Sequence, residues 1–265
     1  VINIRIQGLD GRYTQLLRDG FPLYGGFSSG LSILQIPPLD LQQFEIIKGS
    51  SSTLYGGGAI AGLINMVSKT PDEEPALDIM LTQTQALGST ANVFYSKRNE
   101  KFGISLYGSG HYQKAYDPED DGFSNLPKTK SISFNPKFFY YPSDKTTFWL
   151  GLNGTYDDRI GGDITKIESG ENGIHQYTEE NISKRLSSQA VYKTQIDSIS
   201  SLSIKNSVSF FDRNLTIPDF NFDGKQTNTF TEITYQRETS KADWIFGANL
   251  YTSNFDENDN ATLQR

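Results

Sequence analysis

Residues 44–65 read FEIIKGSSSTLYGGGAIAGLIN, and this stretch decides the fold of the first part of the chain. Its opening residues, Phe44–Lys48, have the composition of a short strand. From Gly49 to Ser68 the chain is uncharged over a length that could span a bilayer, but its glycines and serines would not hold a continuous helix in lipid. Glycine adopts positive φ at little strain, so the run Gly56–Gly58 predicts tight turns in a closely packed domain.

The flanking residues complete a small, breaker-rich domain. Ile2–Gln7 and Ile60–Ser68 are predicted to be strands, and Leu39–Gln43 a single helical turn that begins after Pro38. Residues 71–75 read PDEEP and form a charged linker. We therefore predict three parts: a first domain over residues 1–70, a linker over 71–75, and a second domain over 76–265.

After Pro75 the sequence alternates between apolar and polar residues, with a period of two. We count nine strands between Ala76 and Asp256, several of them ten or more residues long. The apolar members of the clearest strands are Phe102, Ile104, Leu106 and Tyr112; Ile132, Phe134, Phe138 and Tyr140; Phe148, Leu150, Leu152 and Tyr156; Leu202, Ile204, Val208 and Phe210; and Trp244, Phe246, Ala248 and Leu250.

The connections between these strands alternate in length, which is typical of an antiparallel meander. Tight turns are predicted at residues 98–101, 142–145, 195–198 and 239–242. Longer polar loops are predicted at Lys114–Lys128, Asp157–Thr178 and Arg213–Gln226.

Two folds fit this pattern. A soluble β-sandwich would bury the apolar face between two sheets, although its strands are usually about five or six residues long. A membrane barrel needs strands of about 9–11 residues, an apolar outer band and aromatic girdles near the strand ends. Tyr112, Tyr140, Tyr156 and Trp244 occupy such positions, which favours the barrel.

Composition excludes several kinds of chemistry. The 265 residues include no cysteine and only two histidines, so a disulfide scaffold, a thiol nucleophile and a cysteine metal site are excluded. The net charge of −7 argues against nucleic acid as a partner, because binding to phosphates needs an excess of Lys and Arg. No acid, base and nucleophile converge in the sequence, so we expect a protein that is not an enzyme.

The first seventy residues resemble the second half of the plug domain of TonB-dependent outer-membrane receptors. The matching segments are Ile4–Gly8 (IRIQG), Asp19–Gly25 (DGFPLYG) and residues 44–65; the chain departs from the usual pattern at Ser50 and Ala61. The resemblance implies a transmembrane β-barrel, here an incomplete antiparallel meander, with an α+β plug domain inside its lumen. We expect a fragment of such a receptor that lacks the N-terminal energy-coupling box.

The resemblance also implies site residues. Ligand contact falls on the plug apices in this family, and the matching residues here are Arg12, Tyr13, Tyr24, Gly25 and Phe27. Plug cations face barrel carboxylates in the family, which would make Arg5 and Lys48 anchors between plug and barrel.

The function implied is high-affinity, energy-coupled uptake of a scarce nutrient, most often a ferric siderophore, across the outer membrane of a Gram-negative bacterium. The implied partners are the TonB–ExbB–ExbD complex, reached through the missing N-terminal segment, and outer-membrane lipid. The alternative is a soluble β-sandwich that serves as an adhesin or glycan-binding module.

Two acidic loops have the spacing that begins a calcium loop, with oxygen ligands at positions 1, 3 and 5 and Gly at position 6. The closing bidentate Glu is missing from both, so solvated acidic loops compete with calcium sites. The candidate ligands are Asp117, Glu119 and Asp121 in one loop and Asp219, Asn221 and Asp223 in the other.

Overall fold

A computed structural model describes residues 6, 8, 9, 13–23, 39–49 and 59–258. The chain divides into two compact units, Val1–Pro71 and Asp72–Arg265. Of the predicted strand Ile2–Gln7, only Ile6 is described, and it forms an isolated antiparallel bridge with Leu9. The remainder of that prediction lies outside the described residues.

The first unit contains a four-stranded mixed sheet in the order β2-β1-β4-β3, in which β1 and β4 are parallel and the other pairs antiparallel. The predicted strands Phe44–Lys48 and Ile60–Ser68 are confirmed within β3 and β4, whereas β1 and β2 carry no sequence signal that we recognised. Within the described residues this unit has strands and no helix. The strands are β1 (Thr14–Arg18), β2 (Phe21–Pro22), β3 (Leu41–Lys48) and β4 (Gly62–Ser68).

The predicted helical turn Leu39–Gln43 is wrong. Leu39 and Asp40 form a turn, and β3 begins at Leu41, which pairs with Ser68 of β4. The backbone ladder to β4 supplies hydrogen bonds that a single isolated helical turn could not, because a first turn fixes several dihedral angles for one bond.

A small core and one buried ion pair hold the first unit together. Leu17, Phe21 and Leu63 are almost completely buried. The guanidinium of Arg18 forms a buried salt bridge with Asp40, and Arg18 Nε donates to Ser68 Oγ at 3.4 Å. A buried charge is tolerated when it is paired and hydrogen-bonded, as Arg18 is.

The second unit is one nine-stranded antiparallel sheet in which each strand pairs with its neighbours in sequence, as the meander predicted. The strands are β5 (Ala76–Gln83), β6 (Gly88–Arg98), β7 (Phe102–Gln113), β8 (Lys128–Ser143), β9 (Thr146–Gly162), β10 (Thr178–Gln195), β11 (Ser200–Ile217), β12 (Phe220–Glu238) and β13 (Asp243–Asn258). One short helix, α1 (Ile164–Ser169), lies between β9 and β10.

The predicted alternation is confirmed, and it gives the sheet two different faces. We call the face that carries Phe102, Ile132 and Leu186 the outer face; these three side chains are 58%, 61% and 57% exposed. The opposite, inner face carries side chains such as Ser105 and Asn135, which are buried. A β-sandwich would bury the apolar rows against a second sheet. Their exposure contradicts the sandwich alternative.

The four tight turns are confirmed, but only one long loop is found as predicted. Residues 114–127 form an irregular connection. The predicted loop Asp157–Thr178 is shorter, because β9 continues to Gly162 and α1 follows. The predicted loop Arg213–Gln226 is wrong: β11 and β12 stay paired up to Ile217 and Phe220, and only residues 218 and 219 form the turn.

Candidate functional site

One aromatic row and a further tyrosine mark two levels on the outer face. Near the tight turns, Phe102, Tyr140, Phe148 and Tyr192 pair in succession across β7 to β10, and the first two rings stack at 5.2 Å. Tyr156 lies eight residues further along β9 than Phe148, which is about 26 Å along the strand and, at a barrel strand tilt of about 40°, about 20 Å of height. An apolar band of about 25 Å between aromatic girdles is the outer surface of a membrane barrel.

The inner face is polar and hydrogen-bonded between strands. Tyr107 Oη donates to Asn92 Oδ1 at 2.6 Å, and both side chains are buried. Lys205 Nζ lies 2.8 Å from Glu232 Oε1, an ion pair between β11 and β12. Hydrogen bonds and ion pairs between buried polar groups offset the free-energy cost of removing those groups from water. This face is therefore suited to polar or charged contents.

The inner face also carries cations stacked on aromatic rings, which the sequence analysis missed. The guanidinium carbon of Arg98 lies 3.7 Å from the ring centre of Tyr141, and that of Arg185 lies 4.8 Å from the ring centre of Phe211. Lys137 Nζ lies 5.0 Å from the Trp149 ring. The available signal was the presence of aromatic residues, such as Trp149 and Phe211, in the polar phase of the alternation.

At the end of the sheet with the longer connections, Asp163 organises the loop between β9 and β10. Its carboxylate accepts hydrogen bonds from the backbone N–H of Lys166 at 3.0 Å, of His175 at 2.8 Å and of Gln176 at 3.1 Å. Asp163 is the N-cap of α1 and is 1% exposed. The bond from Lys166 N, with those from the other two amides, lowers the pKa of Asp163 and keeps it ionised.

This loop is fastened to the preceding one by an aromatic group. The ring of Phe123 meets His175 edge-on at 5.4 Å and stacks on Tyr177 at 6.4 Å. His175 Nε2 lies 3.0 Å from the carbonyl oxygen of Asp121, and Ile164 N donates to the carbonyl of Gly122 at 3.0 Å. Residues 114–127 and 163–177 thus form one joined body, which we call the paired loops.

The sequence-predicted ligand and anchor residues are only partly described. Tyr13 precedes β1 and is 37% exposed, and its carbonyl accepts a hydrogen bond from Ala61 N at 2.9 Å. Lys48 ends β3 opposite Gly62, with an exposed side chain. The roles assigned to these two residues stay predictions. The other predicted site residues, Arg5, Arg12, Tyr24, Gly25 and Phe27, lie outside the described residues.

The first acidic loop uses its carboxylates to bind its own backbone. Asp117 accepts from Glu119 N at 3.1 Å and Gly122 N at 2.8 Å, and Asp121 accepts from Phe123 N at 2.8 Å. Desolvation raises the pKa of Asp117, but bonds from Gly122 and neighbouring amides outweigh it and lower the pKa overall.

The second acidic segment is a hairpin rather than a loop. Asp219 lies in the turn, while Asn221 and Asp223 belong to β12 and pair with β11. Among the described residues, no three His, Asp or Glu side chains converge as a metal site would require. Calcium binding stays a prediction, and calorimetric titration of the folded protein with Ca²⁺ tests it.

The geometry describes a wall with two chemically different faces. Hydroxyls, amides and ring-stacked cations line one face of a wall whose other face is apolar and marked by an aromatic row. No helix among the described residues is long and apolar enough to cross a membrane. A one-sided meander of this kind is the wall of an outer-membrane β-barrel.

Comparison with known proteins shows what the chain is similar to. Residues 2–63 match the family model of the TonB-dependent receptor plug domain. Over 159 residues the chain is 26% identical to the ferrichrome outer membrane transporter/phage receptor of Escherichia coli K12, covering 56% of the chain and 21% of that protein. Over 174 residues it is 23% identical to the vitamin B12 transporter BtuB of Photobacterium profundum, covering 63% of the chain and 28% of that protein.

The fold agrees with a solved receptor. The structure of the unliganded ferric citrate transporter FecA superposes with a TM-score of 0.73 at 15% identity, covering 95% of this chain and 41% of that one. The chain is therefore similar to TonB-dependent receptors of the Gram-negative outer membrane, with plug sequence over residues 2–63 and barrel-like strands from β5 to β13. It spans well under half the length of these relatives.

Proposed function

We propose that this chain belongs to a receptor that takes up a ferric siderophore by energy-coupled transport. The observation that carries the proposal is the plug sequence of residues 2–63 followed by nine barrel strands whose outer face is apolar. Two relatives support the cargo, because one transports ferrichrome and a structural neighbour transports ferric citrate. Both cargoes are chelated ferric iron.

The inner face of the sheet supports recognition of such a chelate. Ferric siderophores are large ligands with many oxygen atoms, and several carry negative charge. Hydroxyls, amides and cations on the inner face would contact them by hydrogen bonds and charge. We propose that Arg12, Tyr13, Tyr24, Gly25 and Phe27 complete the binding surface from the plug.

Transport also needs a barrier and an energy source. We propose that the plug blocks passive flow and that Arg5 and Lys48 hold it against barrel carboxylates. The TonB–ExbB–ExbD complex would pull on the plug and so couple uptake to the proton gradient. The protein would act as a transporter with no covalent step and no resident cofactor.

The test is growth and binding with the full-length receptor. A strain that lacks its siderophore receptors is given the receptor under iron limitation, with ferrichrome, ferric citrate, a ferric catecholate or cobalamin supplied in turn. We expect growth on one ferric chelate that is lost when TonB is removed. Isothermal titration of the purified receptor should give binding of that chelate and much weaker binding of the iron-free ligand.

Variants separate the binding surface from general stability. Tyr24→Ala should weaken chelate binding, whereas Tyr95→Ala, on the outer face of β6, should leave binding unchanged. Growth on cobalamin alone would contradict the proposed cargo. Uptake that persists without TonB would contradict the proposed coupling.

A further inference from the structure

A shallow groove lies on the outer face beside the tight turn between β6 and β7. Its floor is the half-buried Ile104, and its sides are formed by Tyr95, Lys97, Phe102 and Phe138. Lys97 pairs with Ile104 across β6 and β7, and Ile104 pairs with Phe138 across β7 and β8. The groove therefore crosses three strands, and its lining is apolar apart from Lys97, Arg98 and Asn99.

The groove lies at a defined level of the membrane. Phe102 and Tyr140 belong to the aromatic row nearest the tight turns, and Ile104 is the next outward-facing residue of β7. Short turns face the periplasm in outer-membrane barrels. The groove therefore begins at the periplasmic interface and runs into the hydrocarbon region.

One cation stands at the mouth of the groove. The Lys97 side chain is exposed and belongs to the outward phase of β6, together with Val93 and Tyr95. A lysine at this depth extends its ammonium group toward the interface while its methylene chain stays in apolar surroundings. The next residue, Arg98, also lines the groove, but its guanidinium stacks on the ring of Tyr141 on the inner face.

The groove lining is cationic, because it contains Lys97 and Arg98 and no carboxylate, while the adjoining turn carries one charge of each sign, Glu100 and Lys101. The acidic linker residues Asp72, Glu73 and Glu74 precede β5, on the opposite side of β6 from the groove, and Asp72 accepts the backbone N–H of Arg98 at 2.7 Å through its carbonyl. On the side of β7 and β8, the groove lining contains no carboxylate. An apolar channel with a single ammonium group at its mouth matches an acyl chain joined to a phosphate.

We propose that this groove binds a phospholipid of the periplasmic leaflet, with an acyl chain along Ile104 and Phe138 and the headgroup phosphate at Lys97. Charge complementarity selects the occupant: an uncharged lipid would leave the Lys97 ammonium without a counter-ion at the interface. A lysine near a membrane surface contributes about 1 kcal/mol toward an anionic headgroup, which corresponds to about a fivefold change in affinity.

The test is lipid retention by the full-length receptor. The receptor is purified, stripped of lipid in detergent, titrated with dioleoylphosphatidylglycerol, and analysed by native mass spectrometry. We expect one lipid to be retained more tightly than the rest, and Lys97→Gln to weaken its retention about fivefold. Lys97→Arg should restore retention. Lys241→Gln, in the tight turn between β12 and β13, removes the same charge at the same interface and should have no effect.

Two further measurements separate the chain site from the phosphate site. Ile104→Trp fills the floor of the groove and should abolish retention of the tightly bound lipid. Dioleoylglycerol has the same acyl chains without the phosphate. It should bind to the wild type as weakly as phosphatidylglycerol binds to Lys97→Gln. Equal retention by Lys97→Gln and Lys241→Gln would overturn the proposal. Displacement of the lipid by millimolar inorganic phosphate would assign the cation to a free anion instead, and would equally overturn it.

Discussion

The two faces of the nine-stranded sheet are built from alternate residues of the same strands, yet they follow different rules. On the outer face, side chains such as Phe134 and Phe210 are apolar and about half exposed, because hydrocarbon offers no partner to a polar group. On the inner face, Asn92 and Tyr107 are buried and bonded to each other, and cations lie on aromatic rings. Contact with hydrocarbon alone determines which side chains occur on the outer face, whereas specific side-chain partners determine those on the inner face.

A positive charge introduced at the same height on each face should give the largest difference in the free energy of unfolding. Leu152 lies on the outer face midway between Phe148 and Tyr156, and Gln189 lies on the inner face beside Ser188, the partner of Leu152. We expect Leu152→Arg to lower the free energy of unfolding by about 2–4 kcal/mol and Gln189→Arg by less than about 1 kcal/mol. Urea titration of the full-length receptor refolded into vesicles measures both. Equal losses would contradict the assignment of the faces.

Removal of a single hydroxyl should give the next largest contrast. Tyr107→Phe leaves the buried Asn92 Oδ1 without its 2.6 Å donor, so a loss of about 1–3 kcal/mol is expected. Tyr95→Phe removes the same group from the outer face of the neighbouring strand and should cost much less. The same urea titration decides between them, and a larger loss for Tyr95→Phe would reverse the comparison.

Some polar side chains do lie on the outer face, and they satisfy one another. Thr229 Oγ1 and Thr252 Oγ1 are 2.6 Å apart, and Asn206 Nδ2 donates to Thr231 Oγ1 at 2.9 Å. Side-chain hydrogen bonds within a membrane are worth about 0.6 kcal/mol on average. Thr229→Val should therefore change the free energy of unfolding by no more than about this amount. A loss several times larger would show that this part of the face does not contact hydrocarbon.

Outside the membrane both faces of the strands meet water, so we expect no contrast between them there. In that region the carboxylate of Asp163 should hold its own loop without affecting the stability of the sheet. Asp163→Ala removes the acceptor of three backbone amides, so hydrogen exchange at His175 and Gln176 should speed up roughly tenfold while global unfolding is unchanged. Asp117→Ala, in the other of the paired loops, should leave these two amides protected. A decrease in the free energy of global unfolding would show that the paired loops stabilise the sheet.

The pH dependence of the same contact has a definite sign. The folded-state pKa of Asp163 is lowered, so its contribution is fully present above its ordinary pKa of 3.8 and is lost as pH falls through the lower, folded value. The amides of His175 and Gln176 should therefore stay protected at pH 5 and lose protection only in stronger acid. Protection that is lost between pH 7 and pH 5 would contradict the role of the Asp163 carboxylate.

The sequence was informative where one physical rule governs every second residue. The outward rows through Phe102, Ile132 and Phe148 were predicted because hydrocarbon requires apolar side chains along the whole row. The predicted loop Arg213–Gln226 was wrong for the same reason: beyond the membrane both faces meet water, so the apolar period ends although the backbone ladder continues. The apolar–polar period of a strand depends on what surrounds its two faces. Hydrogen bonding between strand backbones leaves no such pattern in the sequence.

The site was less predictable, because its contacts join residues far apart in sequence. Asp163 bonds to His175 and Gln176, and Phe123 packs on Tyr177, from loops that have no common motif. The resemblance to a known plug supplied Tyr13 and Lys48 but said nothing about the inner-face rings over which Arg185 and Lys137 lie. Such pairs depend on strand register, which one sequence does not specify.

The long hairpin of β11 and β12 has a consequence for what meets the receptor from outside the cell. Strands of 18 and 19 residues exceed the 9–11 that cross a bilayer, so the excess stands above the surface as a hydrogen-bonded ribbon tipped by Pro218 and Asp219. An antibody or virus approaching this tip would find an epitope of fixed shape, with little conformational entropy left to lose on binding.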